Sequence, residues 1–311
     1  MSPTRLEGAL VVEDVEETSS ATDFRCPKCH GPLREEATEI VCLRHGRFPI
    51  KDGIPSFCDR VGNEFDHHWQ SNTLSEIPKS KRIVATEFLS SAVEHLNKRR
   101  SLKCLDAGCG DGVHIDVLSR DVHEHGNHSI VGVDLSRSAL QIAAHRQHRQ
   151  CQFAQSDIAE LPFAAGTFDI VFSFGVLAYT DSPTNSFSEL CRVLKPGGMI
   201  GIWVCPESHG FLGAVLRFVR KTSQSVGPFL TRRIADLLVP ILGVLPTRSR
   251  LSLRTATWAQ CREVVLVNIA PQQLVFPSVE HVRSWFLDND VAIATECAVH
   301  PITIWGIKSS N

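Results

Sequence analysis

The sequence predicts an α/β protein: a doubly wound, mostly parallel seven-stranded sheet, preceded by a small cysteine-clipped segment and carrying a helical insertion after the fifth strand. Three observations predict it. The run Leu-Asp-Ala-Gly-Cys-Gly-Asp-Gly at 105–112 ends an apolar strand, turns on glycines and opens a helix. Short apolar runs then alternate with amphipathic stretches, the pattern of a parallel sheet covered on both faces. Near the N-terminus, two pairs of metal-binding residues share a two-residue spacing.

Taken in order, residues 1–22 are acidic and rich in Ser and Thr. With neither a basic stretch nor a sustained apolar one, they read as a disordered tail rather than a secretion signal. Residues 23–60 hold the clip. Cys26 and Cys29 form the first pair, Cys42 and His45 the second, with twelve residues between. Three thiolates and an imidazole can close a tetrahedral zinc site, and Cys58 is a substitute ligand. A redox pair, or unligated thiols packed as small apolar groups, are the competing readings. So short a segment cannot bury its own core, and metal binding can supply the folding free energy. Behind it, residues 46–57 read as strand, Asp52-Gly53 turn, strand.

The larger domain covers 61–311. Phe65 and Trp69 lie four apart on one helix face, while the adjacent His67 and His68 point apart and read as exposed. A helix is expected over 82–96. Strands follow at 102–105, 130–134, 153–157, 168–173 and 199–204, with a helix at 184–194 and a turn at 195–198. The "HRQHRQ" run at 145–150 reads as a solvated helix end. Asp106 sits at the carboxyl end of its strand, where open α/β sheets bind ligands. Asp134 ends the next strand, where a carboxylate accepts hydrogen bonds from a ribose diol. The insertion at 207–277 is distinctive: residues 207–263 carry nine Arg/Lys against three Asp/Glu, interleaved with apolar helical stretches. A helix at 278–287 and strands at 291–297 and 302–307 close the domain.

The segments "LDAGCGDG", "VGVDLS", "SDIAELPFAAGTFDIVFSFGVL" and "ELCRVLKPGGMIGIWV" resemble the class I S-adenosylmethionine-dependent methyltransferases. The resemblance is to the type 11 small-molecule branch near the quinone-biosynthesis enzymes, and it covers roughly residues 102–205 in that family's order. It implies a Rossmann-like methyltransferase fold in which Asp106, Gly108 and Gly110 border the methionine part of the cofactor. It implies further that Asp134 binds the ribose with Leu135 beside the adenine, that Asp157 and Ile158 hold the adenine, and that Phe174 faces the sulfonium. The branch also uses a Phe-x-x-x-Trp segment as a cap over the cofactor. The charges agree: Asp106 and Asp111 repel a pyrophosphate and tolerate an ammonium and a sulfonium. Residues 23–60 resemble the zinc ribbons of some RNA methyltransferases and activator subunits, with His45 where the "PIxDGIP" ribbons place a fourth cysteine.

The expected function is therefore methylation of a small, lipidic or glycan-linked acceptor. An RNA methyltransferase using the ribbon for recognition, or a non-catalytic regulatory subunit, stands as the alternative. Nucleic acid is disfavoured: 25–60 carries seven Lys/Arg against five Asp/Glu, without a dense basic-aromatic surface. No catalytic residue is assigned. Relatives in the branch place a His-His pair after "GVL", where this chain has Ala178-Tyr179, so Tyr179 and His209 are the polar groups expected near the acceptor. The insertion reads either as a lid with lipid or peripheral membrane contact or as a plain cover on the sheet. A net charge of −2 excludes a general polyanion binder, and no apolar run reaches the about eighteen residues a spanning helix needs. Eleven cysteines, an odd number, fit thiols in a reducing, cytoplasmic setting better than a disulfide framework. Oligomeric state leaves no signature in the sequence.

Overall fold

A computed structural model describes residues 23–58, 66, 69, 77–96, 101–122, 128–146, 151–204, 218–222, 228–244, 258, 262, 265–266, 274–297 and 302–310. The expected tail at 1–22, Phe65, His67, His68 and His209 lie outside them.

The N-terminal segment forms a four-stranded antiparallel sheet, β1 (Arg34–Glu35), β2 (Glu39–Cys42), β3 (Gly46–Lys51) and β4 (Ile54–Pro55), in that order. Asp52 and Gly53 both have positive φ and make the β3–β4 turn read from the sequence. The main domain begins with α1 (Lys79–Leu96), three residues earlier than expected. Then come β5 (Lys103–Ala107), α2 (Val113–Val122), β6 (Ser129–Asp134), α3 (Arg137–His145), β7 (Cys151–Gln155), β8 (Phe168–Phe174), α4 (Pro183–Val193) and β9 (Leu194–Val204). After the insertion, of which α5 (Pro228–Val244) is described, the chain closes with α6 (Val279–Asp288), β10 (Val291–Cys297) and β11 (Ile302–Lys308).

The main sheet has seven strands in the order β10-β11-β9-β8-β5-β6-β7. β5 to β9 are parallel, and β11 pairs antiparallel with both β9 and β10. Two boundaries move. The third parallel strand is 151–155, so Asp157 lies in the turn after it rather than at its end. The 195–198 turn falls within β9: Phe168 already faces Leu194, and the ladder absorbs the turn as an irregularity before Ile170 meets Met199.

Period-2 alternation buries both faces of the sheet. On one face Leu105, Val131, Val171 and Ile200 pack with Phe187 and Leu190 of α4 and with Val282, Trp285 and Phe286 of α6. On the other, Cys104, Ile130, Phe172 and Met199 pack with Phe88 and Leu89 of α1, Ile115 and Leu118 of α2 and Leu140 of α3. Serines cap three helices: the side chains of Ser136, Ser182 and Ser278 accept hydrogen bonds from backbone N–H groups in the first turns of α3, α4 and α6.

The small sheet shares the first of these cores. Phe24 and Phe57 lie 5.2 Å apart, Phe24 stacks on Phe163 at 5.6 Å, and Phe48 closes the group on Phe57. Its last residues extend the main sheet: Ser56 bridges Gln155 in parallel fashion, and the Phe57 N–H donates to the Gln155 carbonyl at 2.8 Å. This covers the edge of β7, which would otherwise present unpaired backbone groups.

Gly201 of β9 shows how tightly the sheet is covered. A Cβ there would lie 2.4 Å from the ring of Trp305, whose Nε1 donates to the Phe88 carbonyl at 3.1 Å. Gly201→Ala should destabilise the fold by about 1–3 kcal/mol, as overpacking does. Urea unfolding checks this, and adding Trp305→Phe should recover part of the loss.

Candidate active site

The site lies at the carboxyl ends of β5 and β6, where the glycine turn passes from strand to helix. The N–H groups of Gly108 and Cys109 both donate to the Val133 carbonyl, at 2.8 and 2.9 Å. That double bond pulls the turn onto the end of β6. Gly108 has φ +84°, and a Cβ there would sit 2.3 Å from a Val176 methyl, so conformation and space both demand glycine. Asp134 clamps the turn from the other side: its Oδ2 accepts from the Gly110 N–H and its Oδ1 from the Ser136 N–H, each at 2.8 Å. Burial pushes its carboxyl up to about 6, against the lowering effect of those two N–H groups. Each oxygen keeps a further lone pair for a hydroxyl.

Asp106 is the decisive group. It is fully buried, and among the described residues neither carboxylate oxygen has a hydrogen-bond partner. Burial raises its pKa well above the carboxylate range, and the charges of Asp134 and Asp111 add to the rise. Buried charges in folded proteins are paired or bind a ligand, so this orphaned carboxylate could receive a cationic group. Asp111 differs from the sequence expectation. Arg146 donates to its backbone carbonyl and approaches its carboxylate at 3.4 Å, while Lys81 lies 3.9 Å away. Asp111 is therefore already neutralised, and Arg146 is a structural ion-pair partner rather than part of a solvated helix end.

Residues 66 and 69, both helical, reach this site. Asp66 is buried and its Oδ1 accepts from the Ser136 hydroxyl at 2.6 Å and from the Ser138 N–H at 3.1 Å, docking on the start of α3. Trp69 lies over the glycine turn: a Cβ on Gly110 would come within 3.3 Å of its ring, and Lys81 stacks over the indole at 5.6 Å. Along the other edge, Gln155 Nε2 donates to the Leu135 carbonyl at 2.9 Å, Asp157 Oδ1 accepts from the Ala159 N–H at 2.9 Å, and Ile158 is buried.

At the ends of β8 and β9 stands an aromatic wall. Phe174 stacks on Trp203 with centroids 4.5 Å apart and contacts His114 at 4.6 Å and Phe88 at 5.1 Å. Burial pushes the His114 imidazole down to about 4, so it is neutral at pH 7. Tyr179, in a single 3-10 turn at Leu177–Tyr179, packs against the core. Sequence reasoning missed His114, Trp203, Asp66 and Gln155. His114 is the second residue of a helix and Trp203 a residue of an apolar strand, so each reads as core without its neighbours.

A family model described as "Methyltransferase domain" matches residues 105–202. A demethylmenaquinone methyltransferase of Lactococcus lactis is 30% identical over 173 residues, covering 53% of this chain and 67% of that protein. The chain belongs to the class I S-adenosylmethionine-dependent methyltransferases. A malonyl-[acyl-carrier protein] O-methyltransferase of Enterobacter lignolyticus is 36% identical over 105 residues, or 34% of this chain; the match covers 39% of that protein's length. Among solved structures, the YcgJ protein of Bacillus subtilis aligns at 14% identity and a TM-score of 0.47, over 72% of this chain and 99% of that one.

The Cys/His clip assembles as a cluster. The donor atoms of Cys26, Cys29, Cys42 and His45 lie within 4.8 Å of one another. Cys26 Sγ is 3.4 Å from His45 Nδ1, Cys42 Sγ is 3.6 Å from the same nitrogen, and Cys29 and Cys42 Sγ are 3.8 Å apart. A tetrahedral zinc with bonds of about 2.3 Å has sulfur–sulfur edges of about 3.8 Å. Burial pushes the Cys42 thiol up, but the N–H groups of Arg44 and His45 and the His45 ring outweigh it and bring the thiol down to about 6. That favours the thiolate at Cys42, whereas burial pushes the Cys26 thiol up.

Asp106 gives this site a pH signature. With its folded-state pKa raised, the buried carboxyl favours folding while protonated and disfavours it once ionised. Its contribution is therefore present at acidic pH and is lost as pH rises above the ordinary Asp value of about 4. Asp106→Asn should stabilise the cofactor-free methyltransferase by about 1–3 kcal/mol at pH 7, with a gain that shrinks towards pH 4. The same variant should bind S-adenosylhomocysteine far more weakly. Denaturant unfolding across pH, with calorimetry, checks both.

Proposed function

We propose that this methyltransferase methylates a small, apolar acceptor, lipidic or glycan-linked, at the carboxyl ends of β8 and β9. The observation that carries the reading is the unpartnered Asp106 carboxylate beneath a glycine turn, with the aromatic wall beside it. When bound, S-adenosylmethionine supplies a methyl on a sulfonium, already a good leaving group. Asp106 takes the ammonium of the methionine half, with Gly108 and Gly110 allowing close approach. Asp134 takes the ribose hydroxyls, Leu135 and Ile158 flank the adenine, and Asp157 accepts from its amino group. Phe174 faces the sulfonium, whose charge suits an aromatic face.

The chain's own work is alignment and exclusion of water. Trp69 and Asp66 fold over the cofactor. Phe174, Trp203 and the neutral His114 make the acceptor side apolar and exclude competing hydroxide. The bound cofactor would supply the methyl to a lone pair of the acceptor, which Phe174 and Trp203 would hold beside it. Any proton the acceptor must lose would pass to solvent, and Tyr179, in the turn after β8, is a polar side chain placed near the acceptor.

The insertion supports a lipidic acceptor. Phe218, Leu230, Leu237 and Trp258 are exposed large apolar residues, and the surrounding 207–263 has nine basic against three acidic residues. Such a surface suits an anionic membrane or a phosphate-bearing carrier. No helix among the described residues is long and apolar enough to cross a membrane. The four clip residues would hold one structural zinc through three thiolates and an imidazole, without a catalytic role.

Transfer of labelled methyl over lipid, glycan and RNA fractions tests the acceptor. Incorporation is expected in a lipid or glycan fraction and is abolished by Asp106→Asn; incorporation into RNA alone would overturn the reading. Metal analysis should find about one zinc per chain, lost together with stability in Cys26→Ala/Cys29→Ala. Flotation should show salt-sensitive binding to anionic liposomes, weakened by Arg232→Glu/Arg233→Glu.

A further inference from the structure

The small N-terminal sheet is tied to the cofactor pocket by one side chain. Gln155, 6% exposed, ends β7. The Ser56 hydroxyl, on the segment following β4, donates to Gln155 Oε1 at 3.0 Å. Gln155 Nε2 donates to the Leu135 carbonyl at 2.9 Å. The backbone on either side is fixed as well: Gln155 is the register partner of Asp134, the Ser156 N–H donates to the Asp134 carbonyl at 3.1 Å, and the Phe57 N–H donates to the Gln155 carbonyl at 2.8 Å. A second tie runs through the β3–β4 turn. Asp52 Oδ2 accepts from Gln141 Nε2 at 2.9 Å and from Arg137 at 3.3 Å, and Arg137 also donates to the Lys51 carbonyl.

We infer that Gln155 is a positioning residue for the adenosine half of the cofactor, and that the small sheet sets S-adenosylmethionine affinity by holding Gln155 through Ser56. The inference rests on the assignment of Asp134, Leu135, Asp157 and Ile158 to ribose and adenine. Gln155 lies between those two pairs. Its amide is polarised at both ends, accepting from Ser56 and donating to Leu135, so each bond strengthens the other. Losing the Leu135 bond frees the loop at 135–136, and binding must then re-order it. The small sheet is thus a wall of the cofactor site, built on the side away from the acceptor.

The test is calorimetric binding of S-adenosylhomocysteine to the full-length protein and to Gln155→Leu, Ser56→Ala, the double variant and Asp134→Ala, each with a melting curve. Gln155→Leu should raise the dissociation constant about five- to tenfold, the scale of one lost hydrogen bond. Ser56→Ala, a milder change at a half-exposed position, should raise it by less. The Ser56 hydroxyl also lies 3.3 Å from the Cys58 carbonyl, but its shorter bond is to Gln155, so the double variant should match Gln155→Leu alone. In turnover, KM for S-adenosylmethionine should rise while kcat at saturating cofactor and KM for the acceptor stay within about twofold, a split that general loosening of the fold would not give. If Gln155→Leu and Ser56→Ala both bind within about twofold of wild type while Asp134→Ala binds weakly, the coupling is overturned; strictly additive variants overturn it too. If Asp134→Ala also binds normally, the cofactor assignment itself fails.

Discussion

The bond between Asp134 and the Gly110 N–H joins the two halves of the cradle, and the site's arrangement follows from it. It fixes a turn that would otherwise float between β5 and α2 to the end of β6. With the turn fixed, Asp106 is sealed beneath it, Gly108 is pressed against Val176, and Trp69 finds a flat platform over Gly110. A single carboxylate so placed ties the glycine turn to the start of α3. Its oxygens hold the Gly110 and Ser136 N–H groups and still present lone pairs outward.

That arrangement has an energetic consequence. Three acids, Asp106, Asp111 and Asp134, crowd one turn, and their repulsion together with burial raises the pKa of the deepest one. Lys81 and Arg146 pair with Asp111, so Asp106 is the acid of the three left without a hydrogen-bond partner among the described residues. A protein selected only for stability would place an amide or an apolar residue there.

Much of this was legible in the sequence because the carriers are local. Strand, glycine turn and helix are contiguous at 102–118, and Asp134 follows at a spacing set by one helix and one loop. The four clip ligands announce themselves by spacing, and their donor atoms do converge. What the sequence hid is what depends on distant segments meeting. Asp111 looked like a free repulsive charge because its partner Arg146 is 35 positions away. Gln155 looked like a strand residue, because its partners Ser56 and Leu135 come from two other elements. His114 and Trp203 looked like core because nothing local reveals that they face one another across Phe174. Strand ends moved for a related reason: β9 starts pairing at Leu194 because the sheet tolerates an irregularity there, which no propensity encodes.

The placement of the small sheet also bears on how the fold handles its edges. Of the two edge strands, β10 is paired by β11 and carries exposed polar residues such as Thr295 and Glu296. β7 is short, and its end lies beside the cofactor loops. Charging that edge to prevent unwanted pairing would add repulsion next to Asp134, in a region already dense with acids. Covering it with Ser56 and Phe57 uses neutral hydrogen bonds and aromatic packing instead. The small N-terminal sheet therefore sits where an uncharged cover is needed, and its Phe24, Phe48 and Phe57 cluster extends the core of the larger domain rather than forming a second one. A segment built this way has no core of its own if detached: its apolar face packs into the core of the larger domain, and its last residues extend that domain's sheet.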